Sequence, residues 1–192
     1  MFRWPIDDET ELRLFETRDA EALFALVDSC RAYLREWLPW VDGTKSPEDS
    51  RRFIEAARRQ FADEDGCSPG IWHQGRLVGG IGFHHIDRLN RSTSIGYWLA
   101  EGHQGRGLVT KACRALVDYA LLDLGLNRVE IHCAVENRRS RAIPERLGFT
   151  IEGTLREADA VADGRLVDLV VYAMLARDWR TLRESRQSSV IS

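Results

Sequence analysis

The sequence has no excess of positive charge and very little lysine. Its 27 lysine and arginine residues are slightly outnumbered by 30 aspartate and glutamate residues, which gives a formal net charge of −3. Proteins that bind nucleic acid in general present a strongly basic face, so this balance argues against a nucleic-acid partner. Lys45 and Lys111 are the only lysines, and the many arginines offer planar groups that suit phosphate.

Long apolar runs and closely paired cysteines are also missing. No stretch approaches the roughly 18 consecutive apolar residues of a membrane-spanning helix, and MFRWPIDDETELRLF lacks the basic end and apolar centre of a signal peptide. Cys30, Cys67, Cys113 and Cys133 are widely spaced with no CxxC pair, which is not the pattern of a disulfide framework or a zinc site. We therefore expect a cytoplasmic protein with no membrane segment and no metal.

Apolar periodicity predicts a single α/β domain. The predicted element order is β-α-α-α-β-β-β-α-β-α-β-β, and 192 residues are enough for one sizeable core. A central mixed sheet with helices on both faces would accommodate this order. We place the domain at residues 1–180 and expect the polar segment at 181–192 to be frayed.

The stretch EGHQGRGLVTK, residues 101–111, carries three glycines within six residues and leads into an apolar-periodic segment. A P-loop would need lysine and serine or threonine where Leu108 and Val109 stand, so that interpretation fails. A dinucleotide fingerprint would need glycine in place of Thr110. What remains is a glycine turn whose free helix N–H groups hold a pyrophosphate, with a purely structural loop as the alternative.

Several motifs in fixed order resemble one family. IGYWL precedes the glycine loop in SIGYWLAEGHQGRGLVTKAC, and NRRSRAIPERLGF follows further on, ahead of an EG pair. Together they resemble the GNAT superfamily of N-acetyltransferases, and within it the RimJ/RimL group, which acetylates protein N-termini including ribosomal ones. The resemblance extends from LRLFETRDAEAL to DLVVYAMLARDW. It implies the GNAT fold, an α/β (α+β) architecture with a mixed, mostly antiparallel sheet of about seven strands flanked by helices, and acetyl-CoA as the donor.

The resemblance also implies where the donor binds. The strands at 94–100 and 128–135 should be splayed, with the acetyl-pantetheine arm pairing with backbone near Trp98 in the gap. Because Tyr97 and Trp98 alternate along the strand, we expect only one of them to face the gap. The usual loop ends in glycine or alanine where this chain has Val109, but that position supplies a backbone N–H. The implied donor-binding residues are Trp98, Leu99, Gln104, Gly105, Arg106, Gly107, Leu108, Val109, Thr110, Asn137 and Ser140.

Two departures from the family pattern bear on catalysis. Many members carry a tyrosine as the acid for the leaving thiolate where this chain has Pro144, and resemblance to the RimL pattern indicates Ser140 instead. Many members also carry a glutamate where Ser94 stands, which leaves Asp159, at a position where RimL-like proteins carry an acid, as the first candidate base. Glu157 is its rival, because strand alternation puts both acids on one face. Ser140 as a simple helix cap, and both acids as solvated strand-end residues, stay open as alternatives.

Other residues with reactive side chains do not indicate a second catalytic or metal site. His84 and His85 are adjacent in a strand and therefore face opposite sides, so they cannot share a metal. Cys133 lies in an apolar strand, where we expect a buried structural thiol.

The implied function is direct transfer of an acetyl group from acetyl-CoA to an amine, with a protein N-terminal α-amino group, such as that of a ribosomal protein, as the expected acceptor. Two alternatives stay open: a small-molecule or antibiotic amine acetyltransferase, and an acyl-CoA-binding protein without turnover. We also expect a homodimer. The aromatic residues Tyr33, Trp37 and Trp40 could line the acceptor site, pack in the core or form a dimer contact.

Overall fold

The alternating segments of the sequence pair into one sheet in a computed structural model that describes residues 3–188. Its strands are β1 (Arg3–Pro5), β2 (Thr10–Leu14), β3 (Pro69–His73), β4 (Arg76–Asp87), β5 (Ser92–Leu99), β6 (Arg128–Ala134), β7 (Thr150–Ala160) and β8 (Leu166–Leu175). Their order across the sheet is β1-β2-β3-β4-β5-β6-β8-β7, and every neighbouring pair is antiparallel except β5 and β6.

This mixed, mostly antiparallel sheet confirms the predicted fold class. The described residues contain eight strands rather than about seven. The additional one is β1, which pairs with β2 at the sheet edge and ends at Pro5. Three residues are too few to show alternation, and proline is tolerated only at such an edge or end, so this strand could not be predicted from the sequence.

Helices cover both faces of the sheet. They are α1 (Ala20–Ser29), α2 (Arg31–Leu34), α3 (Pro47–Ala62), α4 (Leu108–Asp118), α5 (Arg138–Leu147) and α6 (Ala176–Ser188), and a π-helical turn, Tyr119–Asp123, continues α4. Ser46 caps α3 by accepting a hydrogen bond from the Asp49 N–H, and Gly148 ends α5 with φ 88°, as expected for these residue types. Within residues 3–188, no helix is long and apolar enough to cross a membrane.

The sheet opens between β5 and β6. These two strands pair only at their start, where Ser92 to Ser94 lie beside Arg128 to Glu130. Beyond that point β5 remains paired with β4, and β6 remains paired with β8. The splay predicted from the family resemblance is therefore present, and it leaves one edge of β5 without a partner strand.

The C-terminal segment is more ordered than the sequence indicated. Helix α6 extends to Ser188, so the expectation of a frayed tail is wrong for residues 181–188, while 189–192 lie outside the described residues. Trp179 anchors this helix: its side chain is fully buried, and its indole N–H donates to Asp118 Oδ1 over 2.8 Å. Arg183 donates to the same oxygen over 2.9 Å. Although its composition is polar, this segment is therefore a helix that packs against the end of α4.

Replacing Trp179 with phenylalanine should lower the free energy of unfolding by about 1–2 kcal/mol, because the variant loses a buried hydrogen bond and part of the ring volume. Urea denaturation followed by circular dichroism measures the change. Leu89→Ala, at a side chain that is 91% exposed, is the control and should change stability by less than about 0.5 kcal/mol. Equal stability of the Trp179 variant and the wild type would mean that α6 contributes little to the fold.

Candidate active site

The glycine loop joins the end of β5 to the start of α4, and two of its glycines have left-handed backbone. Gly105 has φ 75°, and Gly107, the N-cap of α4, has φ 72°, a conformation that glycine adopts far more easily than other residues. A β-carbon at either position would have no other atom within 4 Å. Since the first N–H groups of a helix lack partners within it, the loop presents backbone donors to open space.

A cavity of about 1000 Å³ lies in front of this loop and reaches the first turns of α5. Arg139 joins the two elements by donating from Nη1 to Gln104 Oε1 over 2.7 Å. Lys111 hydrogen-bonds Asp7 over 2.7 Å and lowers the pKa of that carboxyl to about 2, so the lysine charge is balanced and the arginines supply the positive charge. All the predicted donor-binding residues line this cavity, namely Trp98, Leu99, Gln104, Gly105, Arg106, Gly107, Leu108, Val109, Thr110, Asn137 and Ser140.

A smaller cavity of about 640 Å³ lies under α1 and α3. Its floor includes Gly80, Gly82 and Gly96, where an added β-carbon would come within 3 Å of neighbouring atoms, so the sheet has no room for larger residues there. Of the described residues that line it, Asp159 is the only acid, and none is a lysine or arginine. Its walls are largely apolar, with Phe15, Leu23, Val27, Trp37, Trp40 and Phe53 among them.

The two cavities meet where β5 and β6 separate. Tyr97, Trp98, Asn137 and Ser140 line both of them. Tyr97 packs against the core cluster that includes Cys133, whereas Trp98 packs against the cluster that includes Leu23 and Val27. The two side chains therefore lie on different sides of β5, and the expectation that only one of them faces the gap stays a prediction. The aromatic residues of the N-terminal segment lie at the same place. Tyr33 lines the larger cavity, Trp40 lines the smaller one, and Trp37 lines both.

Ser140 lies at this junction with its hydroxyl free of any capping role. The cap of α5 is the Asn137 side chain, whose Oδ1 accepts the Ser140 N–H over 3.0 Å. The Ser140 hydroxyl instead lies 3.3 Å from the Tyr97 hydroxyl and 3.2 Å from the Cys133 thiol. Burial raises the pKa of both Tyr97 and Cys133, so both stay protonated near neutral pH and Ser140 lies among neutral groups.

The two candidate acids are separated by an irregularity in β7. The register of β7 against β8 shifts between Leu155 and Asp159, and Glu157 lies within the shift with φ 49°. The Glu157 N–H donates to Asp168 Oδ1 over 2.8 Å. Simple alternation therefore does not hold, and the expectation that Glu157 and Asp159 share a face is wrong. Asp159 lines the smaller cavity, whereas Glu157 lines neither.

Histidines at the smaller cavity were missed by reasoning from the sequence. His84 and His85 do face different surroundings, since His84 Nδ1 lies 3.0 Å from Ser94 Oγ and His85 Nδ1 lies 2.7 Å from Asp65. His84 and His132 both line the smaller cavity. Among the described residues, no group of three or more histidine, cysteine or acidic side chains is placed to hold a metal ion.

Comparison with known proteins accounts for this arrangement. A family model described as the acetyltransferase (GNAT) domain matches residues 10–150. The chain belongs to the GNAT acetyltransferase family. It is 41% identical over 180 residues to YdaF of Bacillus subtilis (strain 168), a protein named for ribosomal N-acetylation, and the match covers 93% of this chain and 98% of YdaF.

Solved GNAT structures superpose closely. RimL, the ribosomal L7/L12 α-N-protein acetyltransferase, in complex with coenzyme A has a TM-score of 0.88 at 28% identity, over 93% of this chain and 99% of that chain. The microcin C7 self-immunity acetyltransferase MccE, in complex with acetyl-CoA and AMP, has a TM-score of 0.84 at 30% identity, over 88% and 94% of the two chains. The predicted membership of the GNAT superfamily is thus confirmed.

Proposed function

We propose that this chain transfers the acetyl group of acetyl-CoA to the α-amino group of a protein N-terminus, with ribosomal proteins as the first candidates. The observation that carries the proposal is the pair of cavities that meet at Ser140 in the opening between β5 and β6. One cavity has the features of a phosphate site and the other those of an apolar pocket with a single acid, as transfer between two substrates requires.

The larger cavity suits coenzyme A. The N–H groups at the start of α4 and the positive end of that helix favour a pyrophosphate, and Arg106 and Arg139 add positive charge beside it. The unpaired edge of β5 near Trp98 offers backbone groups to the amides of an extended pantetheine arm, as in strand addition. Acetyl-CoA, when bound, supplies an activated acetyl thioester, and these residues would place it against the junction.

The residues at the junction can manage the protons of the reaction. An α-ammonium group has a pKa of roughly 8, so near neutral pH it needs to lose a proton before it can attack. Asp159 is the candidate base predicted from the sequence, and its carboxylate would attract the ammonium form into the smaller cavity. The Ser140 hydroxyl, whose partners Tyr97 and Cys133 are neutral, would donate to the departing sulfur of the donor.

The smaller cavity favours an acceptor with one positive charge. A polyamine or an aminoglycoside carries several ammonium groups, and each would need an acid or another polar partner, whereas Asp159 is the only acid that lines this cavity among the described residues. A peptide end carries one α-ammonium beside side chains that the apolar walls can accept. Relatives named for ribosomal substrates agree with this choice.

The purified chain should acetylate a peptide with a free N-terminal serine or alanine, and release coenzyme A thiol in equal amount, while the same peptide with a blocked N-terminus gives neither product. Mass spectrometry and a thiol assay measure the two products. Acetylation of spermidine or an aminoglycoside without any peptide product would favour the small-molecule alternative. Tight acetyl-CoA binding without thiol release across the whole panel would favour a non-catalytic role.

Comparing N-terminal acetylation across the proteome with and without this protein would then identify the acceptor. The expected homodimer and the expected action in the cytoplasm stay predictions, and light scattering of the purified chain tests the first of them.

A further inference from the structure

His84 is held in one position at the edge of the smaller cavity. It lies on β4 where the register with β5 shifts, between Phe83 and Ile86. Its Nδ1 lies 3.0 Å from Ser94 Oγ on β5. Its Nε2 lies over Gly96, since a β-carbon there would come within 2.5 Å of that nitrogen. The ring therefore lies along the surface of β5. The Ser94 hydroxyl contacts Nδ1, and the missing side chain of Gly96 leaves space for Nε2.

The groups that face His84 come from three neighbouring elements. From β6 comes His132, whose Nε2 lies 2.7 Å from Glu130, and from β7 comes Asp159. From α3, the Gln60 side chain donates to the His84 backbone carbonyl over 2.8 Å. Burial is the main reason that the pKa of His84 is lowered from 6.5, with repulsion from His132 adding to it and Asp159 opposing it. The imidazole is therefore neutral near pH 7.

We propose that His84 Nε2 is the group that accepts the proton of the acceptor's α-ammonium, with Ser94 Oγ taking a hydrogen bond from Nδ1–H and so leaving the Nε2 lone pair free. The proposal rests on the proposed function. One proton moves from the ammonium to Nε2 and then to solvent. The second proton leaves the nitrogen as the amide bond forms and the thioester C–S bond breaks, and it ends on the sulfur. Asp159 then holds the positive charge in place rather than removing the proton.

The relative basicities favour this division of roles. A carboxyl group ordinarily titrates near roughly 4, about four units below an α-ammonium group, whereas an imidazole ordinarily titrates near about 6.5, and burial lowers the pKa of His84 from that value. Proton transfer to a base of closer pKa is less uphill, and general-base catalysis is more efficient when the two values approach each other. His84 also has a fixed orientation, which a base needs in order to act at one nitrogen.

The test compares His84→Gln with His85→Gln on the same peptide between pH 6 and 9. His84→Gln should lower kcat/KM about tenfold at pH 7, and the deficit should shrink towards pH 9, because the amine then loses its proton without help. His85→Gln should stay within about twofold of wild type at every pH, since His85 lies outside both cavities. Acetyl-CoA affinity, measured by calorimetry, should be unchanged in both.

Ser94→Ala keeps His84 and removes only its hydrogen-bond partner, so it should give a smaller deficit, about threefold, of the same pH dependence. A loss in His84→Gln that is equal at every pH would overturn the proposal in favour of a structural role, and so would a wild-type profile in that variant. Each of these results leaves the proposed function intact. Absence of wild-type turnover on every amine of the panel would overturn the proposed function and this proposal together.

Discussion

Replacing Gly107 with glutamate should abolish acetyl-CoA binding in a calorimetric titration, with a loss of affinity above about 100-fold, or roughly 3 kcal/mol. Gly107 has φ 72° and caps α4, and a side chain in this conformation costs about 1–2 kcal/mol in any L-residue. The new carboxylate would also project into the larger cavity beside the start of the helix, where it would repel the pyrophosphate and occupy its space.

Two variants separate these effects. Gly107→Ala carries the backbone strain without the charge and should weaken binding by no more than about tenfold. Gly102→Glu adds the same charge five residues earlier in the chain. A β-carbon at Gly102 would meet no atom within 4 Å, and Gly102 does not line the larger cavity. This variant should therefore bind acetyl-CoA with an affinity within about threefold of wild type. Wild-type affinity in Gly107→Glu, with a normal circular dichroism spectrum, would remove this loop from the donor site.

Local chemistry explains why much of the fold could be predicted. Helix starts at Ser46 and Asn137 and the helix end at Gly148 depend on residues next to them in the sequence, and such capping signals are visible in the sequence alone. Helix α6 was missed for the opposite reason. Its one fully buried anchor, Trp179, is held by Asp118 on α4, a contact between residues far apart in the chain.

The same contrast between local and long-range contacts decides which parts of the candidate site could be predicted. The predicted donor-binding residues are contiguous around Gly107 or follow from the family motif, and all of them line one cavity. The acceptor side depends on two register shifts, one that places His84 beside Ser94 and one that separates Glu157 from Asp159. Register in a bulged pair is set by packing and hydrogen bonds across the sheet, so alternation along β7 does not predict the positions of Glu157 and Asp159.

Replacing Ser140 with alanine should lower kcat about 100-fold while changing the affinity for coenzyme A by less than about threefold, because a single well-placed donor or acid contributes about this much to the rate. The hydroxyl lies where the two cavities meet and is not needed by the helix, since Asn137 supplies the cap. Its contribution should therefore appear when the sulfur leaves and not when the donor binds. Steady-state kinetics and calorimetry on the same preparation measure the two quantities.

The neighbouring thiol provides the control. Cys133 lies 3.2 Å from the Ser140 hydroxyl and is buried with a raised pKa, so it stays a neutral thiol, and Cys133→Ala should keep kcat within about threefold. If Ser140→Ala and Cys133→Ala lost the same activity, the two side chains would matter only as packing partners. If Ser140→Ala lost affinity for coenzyme A in proportion to kcat, the hydroxyl would be a binding group. Only a loss confined to turnover, and to Ser140, assigns the proton of the leaving thiol to this residue.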